Sequence, residues 1–186
     1  MANISDLAVG RYIVHQNEPY IVIKTDFIKM AQSKGIMRTT LRNLINANVL
    51  KLTFKGGESI ELADISRSKA NFLYHEGENS HFMDAATYDQ FFVPQSALGD
   101  KVKFLQENLE VDVLLFNGNP VNIDLPKKVV LEVKETEPAV RGDTAQGGVM
   151  KIAKVETGAT LQVPLFVKTG DKIRINTDTG EYVERA

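Results

Sequence analysis

Apolar and polar residues alternate with a period of two along much of this chain, the spacing of strands that bury one face and expose the other. Val129, Leu131 and Val133 alternate with Val130, Glu132 and Lys134. Val111, Val113 and Leu115 repeat the pattern and run into Asn117-Gly118. That dipeptide tolerates the positive φ of a two-residue hairpin turn. Val121, Ile123 and Leu125 return on the other side, and Ile173 and Ile175 lead through Asp178-Thr179-Gly180 to Tyr182-Val183. Near the start, Tyr12 and Val14 face Ile21 and Ile23 across a turn at Gln16-Asn17-Glu18-Pro19. The helical period is weak. Two short helices are predicted, one over 85–91 capped by the Asp84 carboxylate and one over 95–98 with Pro94 at its first position. Many short strands with few helices predict an all-β chain of barrels or sandwiches.

Breaks near Asp64-Ile65 and Pro126-Lys127 divide the chain into units 1–64, 65–127 and 128–186, each small enough to gain stability from its neighbours. There is no cysteine, so disulfides, thiolate metal sites and cysteine nucleophiles are excluded. The first residues lack a basic region followed by an apolar run, and no stretch approaches the ~18 apolar residues of a membrane span. The expectation is a cytoplasmic protein that does not enter the membrane and needs no cofactor. His15, His75 and His81 match no metal-ligand spacing, so no metal is expected.

A formal net charge of −2 gives no global attraction to nucleic acid, but the charge is unevenly spread. Residues 1–64 hold eight Lys/Arg against six Asp/Glu, residues 65–127 five against nine, and residues 128–186 nine against nine. Within 24–55, Lys24, Lys29, Lys34, Arg38, Arg42, Lys51 and Lys55 face Asp26 alone. This is either a phosphate-contacting patch, each cation releasing a counterion, or a solvated hairpin face.

Four stretches, in order over essentially the whole chain, resemble the bacterial elongation factor P family. The first is Asp26-Phe27-Ile28-Lys29, then eight residues, then Arg38-Thr39-Thr40-Leu41-Arg42-Asn43-Leu44. The second is Thr53-Phe54-Lys55-Gly56-Gly57-Glu58-Ser59. The third is Tyr74, Gly77, His81-Phe82-Met83-Asp84 and Thr87-Tyr88-Asp89-Gln90. The fourth runs from Arg141-Gly142-Asp143-Thr144-Ala145 through Thr157-Gly158 and Gln162-Val163-Pro164-Leu165-Phe166 to Gly170-Asp171-Lys172-Ile173 and Thr179-Gly180-Glu181-Tyr182-Val183. The resemblance implies an SH3-like, KOW-type barrel followed by two OB-fold barrels, in an L shape of transfer-RNA size. It implies a monomeric, non-enzymatic factor whose partners are the ribosome, with the rRNA of both subunits, and the P-site tRNA. Such a factor relieves stalling at consecutive prolines. Proline is a secondary amine whose ring fixes φ, so prolyl substrates reach attack geometry poorly, and holding the P-site tRNA supplies orientation without a catalytic group.

The family carries a hairpin in its first domain that reaches towards the peptidyl-transferase centre, often tipped by Pro-Gly-Lys-Gly with a lysine extended by a modifying enzyme. Here the eight residues between Lys29 and Arg38 align without a gap, so Met30-Ala31-Gln32-Ser33 replace that tip. Gln32 takes the lysine's place, unmodified and with no amine to extend, and Lys34 lies two residues along the descending arm as the alternative modified residue. Besides Lys29, Arg38 and Arg42, the resemblance points to Arg141, Gly142, Asp143 and Thr144 as an RNA-approaching loop of the third unit, against the reading of a plain connection. Tyr182 and Arg185 near the C-terminus fit RNA contact, with Tyr182 equally readable as core. Phe72, Phe82, Phe91, Phe92 and Phe104 are assigned to the core. The competing functions are a free single-stranded RNA-binding protein, against which the acidic middle unit argues, and a diverged paralogue of the same family.

Overall fold

The computed structural model describes residues 2–29, 35–137 and 150–186. Its first sheet is an antiparallel meander of β1 (Tyr12–His15), β2 (Glu18–Ile28), β3 (Ile36–Asn43) and β4 (Val49–Lys55), in that order. Pairing of Ala2 with Ile60 and of Ile13 with Leu62 draws the flanking segments onto it. Gln16 and Asn17, both at positive φ, make the β1–β2 turn, so Glu18 and Pro19 belong to the strand and not to the turn. Tyr12 pairs with Ile21 as read, but Val14 faces Pro19, and the core takes the other face of the hairpin: Ile13 and Val22 with Met37, Leu41 and Ile60.

The second sheet is built from β5 (Ile65–Glu76), β6 (Asn79–Asp84), β7 (Gln90–Pro94), β8 (Glu110–Phe116) and β9 (Asn119–Asp124). The third uses β10 (Lys128–Thr136), β11 (Met150–Val155), β12 (Thr160–Pro164), β13 (Lys172–Asn176) and β14 (Tyr182–Arg185). Their strand orders, β7-β6-β5-β8-β9 and β12-β11-β10-β13-β14, are the same path through five strands. In each the two outer strands come together, β7 against β9 and β12 against β14, which curls the sheet into a small barrel of the OB type. The alternation of Val129, Leu131 and Val133 is buried as read, and Asn117-Gly118, both at positive φ, closes the β8–β9 hairpin. Leu114, between the inward-facing Val113 and Leu115, points towards the first sheet, and the bulge beside it leaves Val121 of β9 unpaired to join it there.

Two sequence expectations are corrected. Residues 85–91 are not helical: Asp84 Oδ1 accepts from the N–H groups of Ala86 and Thr87, and the chain reverses directly into β7. A carboxylate that caps a helix and one that closes a turn read alike in sequence, and the turn wins because Phe82 and Phe91 must stack across β6 and β7. The short helix α1 (Gln95–Leu98) is present, with Pro94 as its extended N-cap residue, one place before the first helical position.

Leu44, Leu114 and Val121 pack between the first and second sheets. Phe104, carried on the 3-10 turn after α1, enters the core of the third unit beside Val129 and Ile175. Thr157 Oγ1 donates to Lys103 O at 2.6 Å, and Thr177 Oγ1 to Pro126 O at 2.6 Å, across the same boundary.

Candidate nucleic-acid interface

β2, β3 and β4 each present alternate residues to the two faces of the first sheet. Inward go Val22, Met37, Thr39 and Leu41, and the Thr39 hydroxyl is satisfied by donating to Leu52 O at 3.1 Å. Outward go Lys24, Asp26, Arg38, Arg42, Lys51, Thr53 and Lys55, all exposed. The register places Lys24 opposite Thr40 and Thr40 opposite Lys51 in one row, and Asp26 opposite Arg38 and Arg38 opposite Thr53 in the next. With strands about 4.8 Å apart, Lys24, Arg38 and Lys51 stand around one shallow cleft of about 200 Å³. A bulge at Val22/Lys24 brings Lys24 onto this face.

Among the described residues, Lys24, Arg38 and Lys51 enter no salt bridge. The basic residues of the second unit behave differently: Arg67 meets Asp124 at 3.3 Å, Lys69 meets Asp112 at 2.9 Å, and Lys103 meets Asp100 at 2.6 Å. The cleft therefore sets three cations against the single carboxylate of Asp26, an excess of positive charge able to displace counterions from a phosphate backbone.

At the loop end of the sheet, Ile28 pairs with Ile36 and Gly56 N–H donates to Gly35 O at 2.8 Å, fixing the hairpin base on the end of β4. The Phe27 ring lies over Gly35 so closely that a Cβ there would lie 2.5 Å from Phe27 Cζ, so any larger residue would displace this exposed ring.

The predicted site residues divide. Lys29 is exposed at the last described position of the ascending arm. Arg38 lies in the cleft. Arg42 does not: it lines a second cleft of about 600 Å³ between the first and second units, shared with Asp100, Lys101, Asp124 and Asp178. Tyr182 packs against the core of the third unit, the core side of its two readings, while Arg185 is exposed on β14. Met30, Ala31, Gln32, Ser33 and Lys34, and Arg141, Gly142, Asp143 and Thr144, lie outside the described residues. The grouping of Lys24 with Lys51 was hidden in the sequence because it depends on the bulge and the β3–β4 register.

The domain family described as "Elongation factor P (EF-P) KOW-like domain" matches residues 3–60. "Elongation factor P (EF-P) OB domain" matches 65–123, and "Elongation factor P, C-terminal" matches 129–185. Elongation factor P of Aquifex aeolicus is 46% identical over 174 residues, covering 94% of this chain and 90% of that protein. Elongation factor P of Petrotoga mobilis is 46% identical over 186 residues, covering all of both chains. Among solved structures, the eukaryotic translation initiation factor 5A from Methanococcus jannaschii superposes with a TM-score of 0.54 at 18% identity, covering 66% of this chain and 92% of that one, a likeness of fold. Three consecutive domain matches and full-length identity above 40% place this chain in the elongation factor P family of translation factors.

Proposed function

We propose that this protein binds the ribosome beside the P-site peptidyl-tRNA and speeds peptide-bond formation at consecutive prolines. The observation that carries the reading is the cleft of Lys24, Arg38 and Lys51, exposed, in no salt bridge and outnumbering the one carboxylate of Asp26, on the strands joined by residues 30–34. Cations on the strands hold RNA, and Gln32 meets the peptidyl-tRNA end. The protein acts as a monomer in the cytoplasm, in three domains at 1–64, 65–127 and 128–186, and donates no catalytic group. Its contribution is orientation of a poorly nucleophilic, conformationally restricted prolyl substrate, a term that alone reaches several kcal/mol when two reactants are held in attack geometry. The loop at 141–144 and Arg185 supply further RNA contacts from the third domain. In a reconstituted translation system the protein is expected to speed synthesis through Pro-Pro-Pro and to leave a proline-free template nearly unchanged. Equal effects on both templates, or no effect on either, would overturn the reading.

A further inference from the structure

Phe92, assigned to the core from sequence, stands outside it. The residue lies on β7 opposite His81 of β6, which lies opposite Tyr74 of β5, so three rings cross the outer face of the second barrel in one row. Tyr74 is 48% exposed and Phe92 55%. His81 sits between them, stacked on Tyr74 with centroids 4.8 Å and planes 17° apart, and 6.0 Å from Phe92. Glu76 reaches back to the row, its Oε2 lying 3.4 Å from His81 Nε2. Phe72, Phe82 and Phe91 fill the interior of this barrel, and Phe116 packs at the junction with the first unit. Neither junction uses the row: the first unit packs on Leu114 and Val121, and the third takes Phe104.

The charge around the row has one sign. Residues 70–94, from within β5 to the end of β7, contain Glu76, Glu78, Asp84 and Asp89 and no lysine or arginine. Four of the unit's five basic residues are paired with carboxylates, Arg67 and Lys101 with Asp124, Lys69 with Glu110 and Asp112, and Lys103 with Asp100.

We propose that the Tyr74-His81-Phe92 row is a docking surface for a cationic, arginine-bearing protein segment. Ring faces are the negative pole of an aromatic quadrupole and attract a cation within about 6 Å of the centroid. A guanidinium is planar, weakly hydrated and stacks on such faces while its N–H fork pairs with a carboxylate, so arginine fits the combination of rings with Glu76 and Glu78 better than lysine does. Aromatic rows also stack nucleic-acid bases, but those sites join the rings to a cationic groove that carries the phosphates. Here the surrounding charge is opposite, and it repels a phosphate backbone. The molecule thus keeps two unlike surfaces apart, a cationic cleft on the first sheet and an acidic aromatic row on the second.

The proposal does not rest on the ribosomal reading, and its test needs no ribosome. The full-length protein is followed by two-dimensional NMR of the Tyr74, His81 and Phe92 rings. It is titrated with a short peptide of alternating glycine and arginine, with the glycine-lysine counterpart, and with a single-stranded oligouridylate. The arginine peptide is expected to shift the three rings saturably and the lysine peptide to bind several-fold more weakly. The oligouridylate is expected to leave the rings in place. Tyr74→Thr combined with Phe92→Thr is expected to weaken the arginine peptide about tenfold with an unchanged fold, since both side chains are exposed. Glu76→Gln with Glu78→Gln, which keeps every ring, is expected to weaken it and flatten its salt dependence. Rings unshifted at millimolar arginine peptide would overturn the proposal. So would undiminished affinity in both double variants, or shifts with oligouridylate equal to those with the peptide.

Discussion

Gln32 is proposed as the working tip residue, and the pairing on either side of it supports that choice. Asp26 pairs with Arg38, Phe27 with Met37 and Ile28 with Ile36, so the two arms converge symmetrically and residue 32 is the midpoint in sequence of the connection between them. Lys34 falls two positions past that midpoint on the descending side. The same register follows from aligning Lys29 and Arg38 with the family pattern, which makes the strand pairing an independent argument for it. Glutamine carries a donor and an acceptor but no charge, so its contribution at a reaction centre is directional and not coulombic. Gln32→Ala is expected to slow Pro-Pro synthesis on the order of tenfold, about 1.4 kcal/mol of transition-state orientation, with ribosome affinity nearly intact. Lys34→Ala is expected to do the reverse, weakening binding and lowering the salt slope by somewhat less than one. Single-turnover kinetics beside equilibrium binding separates the two. Intact mass of the native protein is expected to match the sequence, with no adduct. An adduct on Lys34, or a rate loss confined to Lys34→Ala, would make Lys34 the working residue.

On the scale of elements, the β2–β3–β4 face divides its cations between two jobs. Arg38 and Lys51 stand in the cleft and enter no salt bridge among the described residues, whereas Arg42 faces Asp100 and Lys101 at the junction with the second unit. Ribosome binding by Arg38→Gln with Lys51→Gln is expected to lose roughly two units of slope in a plot of log affinity against log salt. Arg42→Gln is expected to leave that slope nearly unchanged, and a slope equally reduced by Arg42→Gln would show that the cleft is not the phosphate contact. This division was not legible from the run of basic residues, because alternation assigns Arg38 and Arg42 to one face without saying what lies across from each. The strands themselves were legible where burial is one-sided, as at Val129, Leu131 and Val133. Phe92 was misread because aromatic content marks strands but not which face is inward. Its neighbours Phe91 and Val93 supply the core contacts of β7, which forces Phe92 out. The helix expected after Asp84 failed for a similar reason: the side-chain acceptor is local, but the cross-strand partner that decides between turn and helix is not.

In the whole molecule, one buried amide ties the first unit to the second beside their apolar contact. Asn122 is 5% exposed on β9, and its Nδ2 donates to Leu44 O of the first unit at 2.9 Å and to Ala97 O of α1 at 3.0 Å. Its Oδ1 accepts from Ile123 N at 2.9 Å and from Lys101 Nζ at 3.0 Å. Lys101 also donates to Ile123 O and pairs with Asp124 at 3.4 Å. Burial lowers the Lys101 pKa despite the pull of Asp124. The folded chain therefore holds this proton less tightly than the unfolded chain. The cost of keeping Lys101 charged is present below the lowered pKa and is relieved as pH rises through it towards the ordinary lysine range. The amide, not the charge, is then the firm part of the joint. Asn122→Ala leaves the Leu44 and Ala97 carbonyls without their donor, and each buried group left unsatisfied costs about 1–3 kcal/mol. The second unit keeps the apolar core in which Ala97 packs with Phe72, Phe82 and Val113, so it is expected to stay folded while the first loosens from it. Hydrogen exchange is expected to quicken around Leu44 and the β3–β4 turn, with little change in β5 and β6. Thermal unfolding is expected to shift down or to broaden as the first unit melts ahead of the rest. If the ribosomal reading holds, the same variant should lose prolyl-transfer rate through a misaimed loop while the cationic cleft, untouched by the change, keeps its salt slope. Unaltered exchange at Leu44 together with unaltered unfolding would show that Leu114 and Val121 hold the joint without the amide.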